Sequence, residues 1–217
     1  MNSNDKAVLI EQLLAYVTEN KRTKMNAVLE NRTRYITVLL EDLFQPHNAS
    51  AALRTCDIFG VQDVHVVEAQ YSFKAVPTIA MGASKWVDVH SYTSITDAIT
   101  MLKKSGYRIA ATTPHRQSYA LSELPLDQKT VLVFGSEQTG LSQAALDQAD
   151  MFVKIPMFGF VESFNVSVSV ALCLYDVITR LHASSHTWRL SDEEKQDILL
   201  CWIRKISHTA KLLTKNQ

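Results

Sequence analysis

From residue 35 onward the chain alternates apolar runs with helical patterns, and this alternation limits the fold more than any other feature. The runs are almost continuously apolar, which is typical of strands that are buried on both faces of a sheet. Strands of this kind alternating with helices predict an α/β fold with a mostly parallel sheet. The predicted strands cover residues 35–41, 64–68, 86–92, 107–112, 131–134 and 152–155, and the predicted helices cover residues 48–60, 95–104, 143–149 and 166–182.

The two ends of the chain differ from this middle part. Residues 5–18 have an amphipathic helical pattern. Residues 191–213 have another, which opens on a capping box formed by Ser191 and Glu194. We therefore predict three parts: an N-terminal helical extension over residues 1–34, one α/β domain over residues 35–182, and a C-terminal helical extension over residues 183–217.

Charge is spread unevenly along a chain whose formal net charge is zero. Residues 1–34 hold six basic and four acidic side chains, residues 178–217 hold seven and four, and the part between holds nine and fourteen. Basic ends suit a polyanion that the acidic middle acts on but need not hold. Each lysine taken singly is equally compatible with a solvated helix face. The candidate phosphate-binding residues are Lys21, Arg22 and Lys24, with Arg32 and Arg34 close behind, and Arg204, Lys205 and Lys211.

Composition and cysteine spacing exclude several classes of protein. With 217 residues, 47% of them hydrophobic and 20% charged, the chain has the composition of an ordinary globular protein. The three cysteines have no metal-binding spacing, and Cys56 and Cys173 lie on apolar helical patterns, so we predict buried thiols and no metal site. There is no signal peptide and no long apolar run, so we expect a cytoplasmic protein without a membrane segment.

The first group of polar residues that can carry chemistry is Asn48 with Arg54. We place Asn48 at a helix start, and Arg54, six residues later, beside a packed face of the same helix. An arginine in such a position needs an anionic partner, which can be a carboxylate of the same chain, a phosphate or a group from a second subunit.

The second group follows the predicted strand at residues 131–134. Gly135 and Gly140 have the spacing of a P-loop, but Leu141 stands where a P-loop has lysine, which excludes that kind of phosphate site. A loop at the carboxyl edge of a parallel sheet is still a place where ligands bind. Glu137 is the only carboxylate in this loop, and it is a candidate acceptor for a ligand or for a neighbouring helix N-terminus.

The third group lies between residues 155 and 176. A strand closed by Pro156 leads into the apolar loop 157–161 and then into Ser163, Phe164 and Asn165. Either polar residue can N-cap the helix predicted over residues 166–182. Five loop residues that are apolar or glycine are unfavourable unless they are covered. The stretch therefore favours a shelf for a flat, partly apolar ligand over an ordinary strand–loop–helix connection.

Taken together, these stretches resemble a known family. N-A-S-A-A-L-R-T from residue 48, Gly-x-Glu at 135–137 and I-P-M-F-G-F-V-E-S-F-N-V-S-V-S from residue 155 are similar, in order, to the three motifs of the SpoU (SPOUT) RNA ribose methyltransferases. The P-H-N that ends in Asn48 is most similar to the TrmH subgroup, whose members methylate guanosine ribose in tRNA.

The resemblance implies a fold detail and a cofactor that the patterns themselves do not reveal. It implies a deep trefoil knot in the C-terminal part of the α/β domain, with S-adenosylmethionine bound there. Carried over residue by residue, the cofactor site is lined by Thr112, Gly135, Ile155, Met157 and Phe164. Apolar side chains are expected to lie against the adenine while loop backbone groups bind its edge.

The resemblance also implies the reaction, transfer of a methyl group to a ribose 2′-hydroxyl. The family gives the first-motif arginine, here Arg54, the central role. Because arginine stays protonated in proteins, we expect Arg54 to bind the phosphate beside the target ribose and to stabilise the developing alkoxide, rather than to act as a base. Asn48, Glu137, Ser163 and Asn165 are expected to hold Arg54 and the hydroxyl in place.

Substrate and partners follow from the same resemblance. Guanosine 18 in the D-loop of tRNA is the expected target, since only about 34 residues precede the first strand and relatives that act on ribosomal RNA usually carry an extra N-terminal domain. The family implies a homodimer, which fits a 166–182 helix that is apolar nearly all round, although a central core helix explains that pattern equally well. Another tRNA position, ribosomal RNA, or RNA binding without catalysis remain as alternatives.

Overall fold

The structure is a computed structural model that describes residues 3–113 and 118–206. The chain divides into two compact units, one formed by Met1–Thr33 with Arg189–Gln217 and the other by Arg34–Trp188. The helices are α1 (Ser3–Leu14), α2 (Glu19–Leu29), α3 (Pro46–Ile58), α4 (Pro77–Ala80), α5 (Ile95–Lys104), α6 (Gln143–Gln148), α7 (Val166–His182) and α8 (Asp192–Ile206). The strands are β1 (Ile36–Glu41), β2 (Asp63–Val67), β3 (Asp88–Tyr92), β4 (Arg108–Thr112), β5 (Tyr119–Ala120), β6 (Thr130–Phe134) and β7 (Met151–Lys154).

A seven-stranded sheet in the order β3-β2-β1-β6-β4-β7-β5 forms the centre of the Arg34–Trp188 unit. Every pairing between these strands is parallel. All residues of β1, β2 and β6 are buried, as the continuous apolar runs predict. The predicted α/β fold with a parallel sheet is therefore confirmed. Strand β5 has two residues, too few to leave a pattern in the sequence.

Helices cover both faces of this sheet. Side chains of α3 and α7 pack with β1, β2 and β6 in one apolar core, which includes Leu53, Leu132 and Leu174. Side chains of α5 and α6 pack on the opposite face in a second core, which includes Leu39 and Ile99. This arrangement explains why β1 and β6 are apolar at most positions on both faces.

Two predicted boundaries move for identifiable reasons. Helix α3 begins at Pro46 with Gln45 as its N-cap, so the prediction that Asn48 starts the helix is wrong. Proline suits the first helical position because its missing N–H has no intrahelical partner there. Strand β3 begins at Asp88 instead of residue 86, because a 3-10 turn, Ala83–Lys85, occupies the chain just before it. At the other end of α3, Gly60 has φ 74° after the C-cap residue, as a glycine at that helix position predicts.

Strand β7 has an unusual place in the sheet. It lies between β4 and β5, which follow one another in the chain. Helix α7 follows β7 and is fixed to the turn after β5 through one side chain. Arg180 donates to the carbonyl oxygens of Leu121 and Leu124, at 2.9 Å each, and to the Asp176 carboxylate at 2.7 Å.

The unit formed by both chain ends contains α1, α2 and α8. Arg32 is almost fully buried there, with its guanidinium 5.3 Å from the ring centroid of Trp202. The predicted capping box is confirmed, because Ser191 N–H donates to the Glu194 carboxylate at 2.8 Å and Glu194 N–H donates to the Ser191 hydroxyl at 3.2 Å. Part of the helix predicted over residues 191–213, from 207 on, lies outside the described residues.

The described residues contain neither a membrane-spanning helix nor a metal site. None of the helices within 3–113 and 118–206 is long and apolar enough to cross a membrane. Over the same ranges, no group of histidine, cysteine, aspartate and glutamate side chains has the arrangement of a metal site.

Candidate active site

A cavity of about 720 Å³ lies at the carboxyl edge of the sheet, beyond the ends of β4, β6 and β7. That is within the size range of cofactor and small-molecule sites, roughly 300–1,000 Å³. All five residues predicted to bind a cofactor line this cavity: Thr112, Gly135, Ile155, Met157 and Phe164. The walls also include the apolar side chains of Phe134 and Leu141. A flat, partly apolar molecule with polar edges fits such a lining.

The Gly135–Gly140 loop forms one side of the cavity and is closed on itself. Ser136 and Gly140 exchange two backbone hydrogen bonds, of 2.9 and 3.1 Å. A Cβ atom on Gly135 would lie 2.2 Å from the carbonyl carbon of Gly140. Glycine is required at 135 because the backbone of the loop passes directly over it.

Glu137 joins this loop to the start of α3. Its carboxylate accepts from the backbone N–H of Phe44 at 3.2 Å and from the Asn48 side-chain amide at 2.5 Å. The acceptor role at a neighbouring helix N-terminus, one of the two suggested by the sequence, is therefore present. The first and second motifs meet at this carboxylate.

Asn165 joins the third motif to the same point. It is the N-cap of α7, and its side-chain oxygen accepts from the backbone N–H of Ser167 at 2.9 Å. The Ser167 hydroxyl donates to the same oxygen at 2.6 Å, and the Asn165 amide nitrogen donates to the Asn48 oxygen at 3.0 Å. Of the two predicted N-cap candidates the structure selects Asn165. Ser163 lines the cavity and makes no side-chain hydrogen bond to a described residue.

Arg54 stands apart from this network. It is exposed on α3, and within the described part of the chain no hydrogen bond or ion pair engages its guanidinium. A carboxylate of the same chain, one of the three partners that the sequence allows, is not supplied by any described residue. A phosphate or a second subunit remains for this side chain.

Apolar side chains are exposed near Arg54 and near the cavity. Ile58 follows Arg54 by one helical turn on α3, and Val168, Leu172 and Tyr175 form a stripe along α7. Phe158 and Phe160, on the loop after β7, are fully exposed, with relative solvent accessibilities of 98% and 106%. Exposed apolar surface of this extent is typical of interaction sites.

The predicted phosphate-binding residues have different surroundings. Lys21 and Lys24 are exposed on α2, a helix that the sequence patterns do not predict, and Arg22 donates to the Val17 carbonyl at 2.8 Å. Arg204 and Lys205 are half-buried on α8, and Lys211 lies outside the described residues. The suggestion that Arg32 also meets phosphates is wrong, because Arg32 is buried, whereas Arg34 is half-buried and donates to the Asp63 carboxylate at 2.8 Å.

A second group of titratable side chains lies away from the cavity, on β2 and β3. Asp63 accepts from His90 at 3.1 Å, and the rings of His65 and His90 stack with their centroids 4.9 Å apart. Burial, reinforced by the charge of His90, lowers the pKa of His65 to about 4, whereas the hydrogen bond to Asp63 raises the pKa of His90. The sequence patterns do not predict this group. In the sequence, Asp63 and His65 are polar residues in an otherwise apolar strand, with no sign of their contacts.

The predicted thiols behave as expected. Cys56 and Cys173 are both buried, and burial raises the pKa of Cys173 to about 12. A thiol of this kind is inert at neutral pH.

Fold and site together define an α/β protein with a cofactor-sized cavity at the carboxyl edge of a parallel sheet. It is bordered by the loops after β6 and β7, which both hydrogen-bond to Asn48 near the start of α3. Residues 35–175 match the family described as SpoU rRNA Methylase. The chain is 40% identical over 194 residues, 89% of either chain, to the tRNA (guanosine(18)-2'-O)-methyltransferase of Borreliella burgdorferi. It is 37% identical over 190 residues to the enzyme of that name from Thermus thermophilus, covering 87% of this chain and 98% of the relative.

A solved structure agrees with these sequence comparisons. The crystal structure of the A. aeolicus TrmH/SpoU tRNA modifying enzyme superposes with a TM-score of 0.78 at 31% identity, covering 86% of this chain and 96% of that one. The chain belongs to the SpoU methylase family, which confirms the resemblance in its motifs.

Proposed function

We propose that the protein transfers a methyl group from S-adenosylmethionine to the ribose 2′-hydroxyl of guanosine 18 in the D-loop of tRNA. One observation carries this proposal beyond the family match. Asn48, Glu137 and Asn165, one from each motif, form a continuous hydrogen-bond network beside a cofactor-sized cavity. The similarity of the whole chain to tRNA (guanosine(18)-2'-O)-methyltransferases supports the choice of substrate.

The residues around the cavity fit S-adenosylmethionine. The apolar side chains of Ile155, Met157 and Phe164 suit the adenine ring, and the loop backbone at Gly135 is open to the cavity. Thr112 already donates its hydroxyl to the Val133 carbonyl at 2.8 Å, so it contributes a fixed wall. When bound, S-adenosylmethionine supplies a methyl group that its positively charged sulfur has already activated.

The protein has to align the ribose 2′-oxygen with that methyl group and to assist loss of the hydroxyl proton. The new bond joins the 2′-oxygen to the methyl carbon, and the proton leaves through the adjacent phosphate or water. Arg54, charged and without a partner among the described residues, binds that phosphate and stabilises the developing alkoxide. Asn48, Glu137, Ser163 and Asn165 position the hydroxyl, together with the Arg54 that the second copy brings to this site.

The protein acts as a homodimer in this proposal. The exposed stripe of Val168, Leu172 and Tyr175, together with Ile58, is the face that the second copy covers. Arg54 precedes Ile58 by one turn, so covering this face places Arg54 at the subunit interface. The active site is then completed by residues of both subunits. This explains why Arg54 makes no hydrogen bond to the network of its own chain.

The remaining assignments concern tRNA binding, the knot and the location. The α/β domain, residues 35–182, carries the catalysis. The tRNA body is held through its phosphates by basic side chains of the two extensions, Lys21, Arg22, Lys24, Arg204, Lys205 and Lys211. The insertion of β7 between β4 and β5, with α7 fixed by Arg180, supports a trefoil knot in the second half of the domain. The protein works in the cytoplasm, on unmodified tRNA.

The function is tested by incubating the purified protein with methyl-labelled S-adenosylmethionine and unmodified tRNA, then digesting the RNA and identifying the labelled nucleoside. We expect 2′-O-methylguanosine confined to the D-loop, and no label in a transcript with deoxyguanosine at position 18. Label at another tRNA position or only in ribosomal RNA would keep the chemistry and reject the substrate. RNA binding without any transfer would reject the enzyme.

A further inference from the structure

The hydrogen-bond network at the cavity has a fixed direction. Its first member, the Ser167 backbone N–H, can only donate, so the Asn165 atom 2.9 Å away has to be the side-chain oxygen. The Asn165 amide nitrogen then faces Asn48 at 3.0 Å and donates to its oxygen. This leaves the Asn48 amide nitrogen to face Glu137 at 2.5 Å, and an ionised carboxylate can only accept. The Ser167 N–H at one end and the Glu137 carboxylate at the other therefore require the same orientation of the Asn165 and Asn48 amides.

The same direction leaves a defined set of free donors. Each side-chain amide nitrogen has two N–H bonds, and the network uses one on Asn48 and one on Asn165. One N–H remains on each residue, while each side-chain oxygen is already engaged as an acceptor. Asn165 is exposed and lines the cavity, and Asn48 is half-buried beside it.

We infer that Asn48 and Asn165 form a donor pair for the ribose 2′-oxygen, which gains negative charge as it loses its proton, with Ser167 and Glu137 as the positioning residues that keep both amides turned this way. This inference rests on the proposed function. Nothing in the pair accepts a proton, so it stabilises the 2′-oxygen as charge develops and does not act as the base. The Ser167 hydroxyl, at 2.6 Å from the Asn165 oxygen, adds a second donor that holds the amide in place.

The direction of the network makes a specific genetic test available. Asn165→Asp puts a carboxylate oxygen against the Asn48 oxygen. Glu137→Gln leaves an amide nitrogen facing either the Asn48 amide nitrogen or the backbone N–H of Phe44, because both donate to the Glu137 carboxylate. Each change alone creates a clash between like groups. In the double variant the Asn48 amide turns over, donates to the new carboxylate at position 165 and accepts from the new amide at position 137. Every contact is then paired again in the reverse direction.

We expect each single variant to lower the melting temperature and the double variant to recover it, while kcat stays at least tenfold below wild type because residue 165 no longer donates. Dissociation constants for S-adenosylmethionine, measured by calorimetry, are expected to change less than kcat. The matched control is Gln128→Glu, the same amide-to-carboxylate change at an exposed residue before β6, at the opposite edge of the sheet. It should leave both melting temperature and kcat unchanged.

A pH series on Asn165→Asp alone gives a second reading. Below the pKa of the introduced carboxyl group, its protonated form donates to Asn48, so the melting temperature of this variant should approach that of wild type as pH falls to about 4, the ordinary pKa of an aspartate. The charged groups around this position are Glu137 after β6, Glu162 on the loop before α7 and Lys154 at the end of β7, with His47 beside Asn48 on α3. Glu137→Gln alone should show no such recovery.

Three results would overturn the inference. A double variant no more stable than the singles would mean that the network has no fixed direction. A double variant with wild-type kcat would mean that the free N–H of residue 165 is not used. Equal loss of cofactor affinity and kcat would mean that the amides only shape the cavity. If the wild-type protein transfers no methyl group to RNA, the proposed function fails, whereas the stability arm still tests the network.

Discussion

At the scale of single residues, Arg54 is informative about function because it lacks a partner among the described residues. Among the described residues it has neither a hydrogen bond nor an ion pair, and it is exposed. An exposed arginine without partners contributes little to folding, so a change in its chemistry should alter function and leave stability intact. The position therefore separates the two effects cleanly.

We expect Arg54→Lys to lower kcat about 100-fold, in the range found when one donor to a developing oxyanion is lost. Lysine keeps the charge but loses the planar fork that binds a phosphate through two parallel hydrogen bonds. Single-turnover methyl transfer to tRNA measures the effect. Melting temperature and cofactor affinity should stay at wild-type values, and an unchanged transfer rate would remove Arg54 from the mechanism.

Gly135 allows a prediction about cofactor binding, because there is no space for a side chain at this position. In Gly135→Ala the new Cβ would be 2.3 Å from the Gly140 carbonyl oxygen, so the loop beside the cavity has to move. We expect loss of S-adenosylmethionine binding, at least about tenfold, measured by calorimetry. Gly159→Ala is the control, because a Cβ there meets nothing within 4 Å. Equal affinities in the two variants would exclude the loop from the cofactor site.

The residues predicted to bind the cofactor came from the resemblance to the family motifs. Thr112, Gly135, Ile155, Met157 and Phe164 all line one cavity at the carboxyl edge of the parallel sheet, where ligands commonly bind. The network could not be predicted, because its hydrogen bonds join Asn48 to residues 89 and 117 positions away. Ser167, which anchors it, looks in the sequence like any polar residue in a first helical turn.

At the scale of elements, a group of polar side chains joins β2 to β3 at the edge of the sheet. His65 accepts or donates at 3.0 Å to the Tyr92 hydroxyl and stacks on His90, which bonds to Asp63. Arg34 and Asp88 complete the charged surroundings. His65 stays neutral in the folded protein because burial and the charge of His90 lower its pKa to about 4.

This arrangement predicts acid-dependent stability. The unfolded chain binds a proton at His65 below about pH 6.5, and the folded protein does so only near pH 4, so stability falls as pH drops through this window. The raised pKa of His90 acts oppositely: its contribution is fully present below the unfolded pKa and is lost as pH rises through the folded value.

His65→Gln isolates the first effect. We expect wild-type protein to lose on the order of 1–3 kcal/mol of unfolding free energy between pH 7 and pH 4.5 through His65, and the variant to lose correspondingly less. Urea unfolding at a series of pH values measures the difference. Parallel curves for the two proteins would show that His65 titrates normally in the folded state.

A helix could be predicted from the sequence where a single hydrophobic periodicity extended over its whole length. The alternating Val166–Val170 start of α7 resembles a strand, but the longer helical pattern prevails, and the helix has the predicted bounds. Helix α2 was missed because its sequence is polar, with Met25 and Leu29 as its buried residues. Such a helix is stabilised by α8 packing on it and by pairs such as Lys195 with Glu30, and these contacts cannot be read locally.

At the scale of the whole molecule, the exposed stripe on α7 determines the expected assembly. Leu172→Glu puts a charge in the centre of the face assigned to the second copy, and we expect it to give monomers with strongly reduced transfer. Light scattering after size-exclusion chromatography measures the mass. Met101→Glu, at an exposed apolar position on α5, is the control and should leave the dimer intact. Two variants of equal mass would place the interface elsewhere.

The hydrogen bond between Asn48 and Asn165 also has a consequence for the order of events during synthesis. Asn165 follows Asn48 by 117 positions, which a ribosome takes about 6–23 seconds to add, at roughly 5–20 residues per second. Through that time β1 and α3 can form, but Asn48 waits for the partner that orients it. We therefore expect a nascent chain to be inactive until the start of α7 has left the exit tunnel.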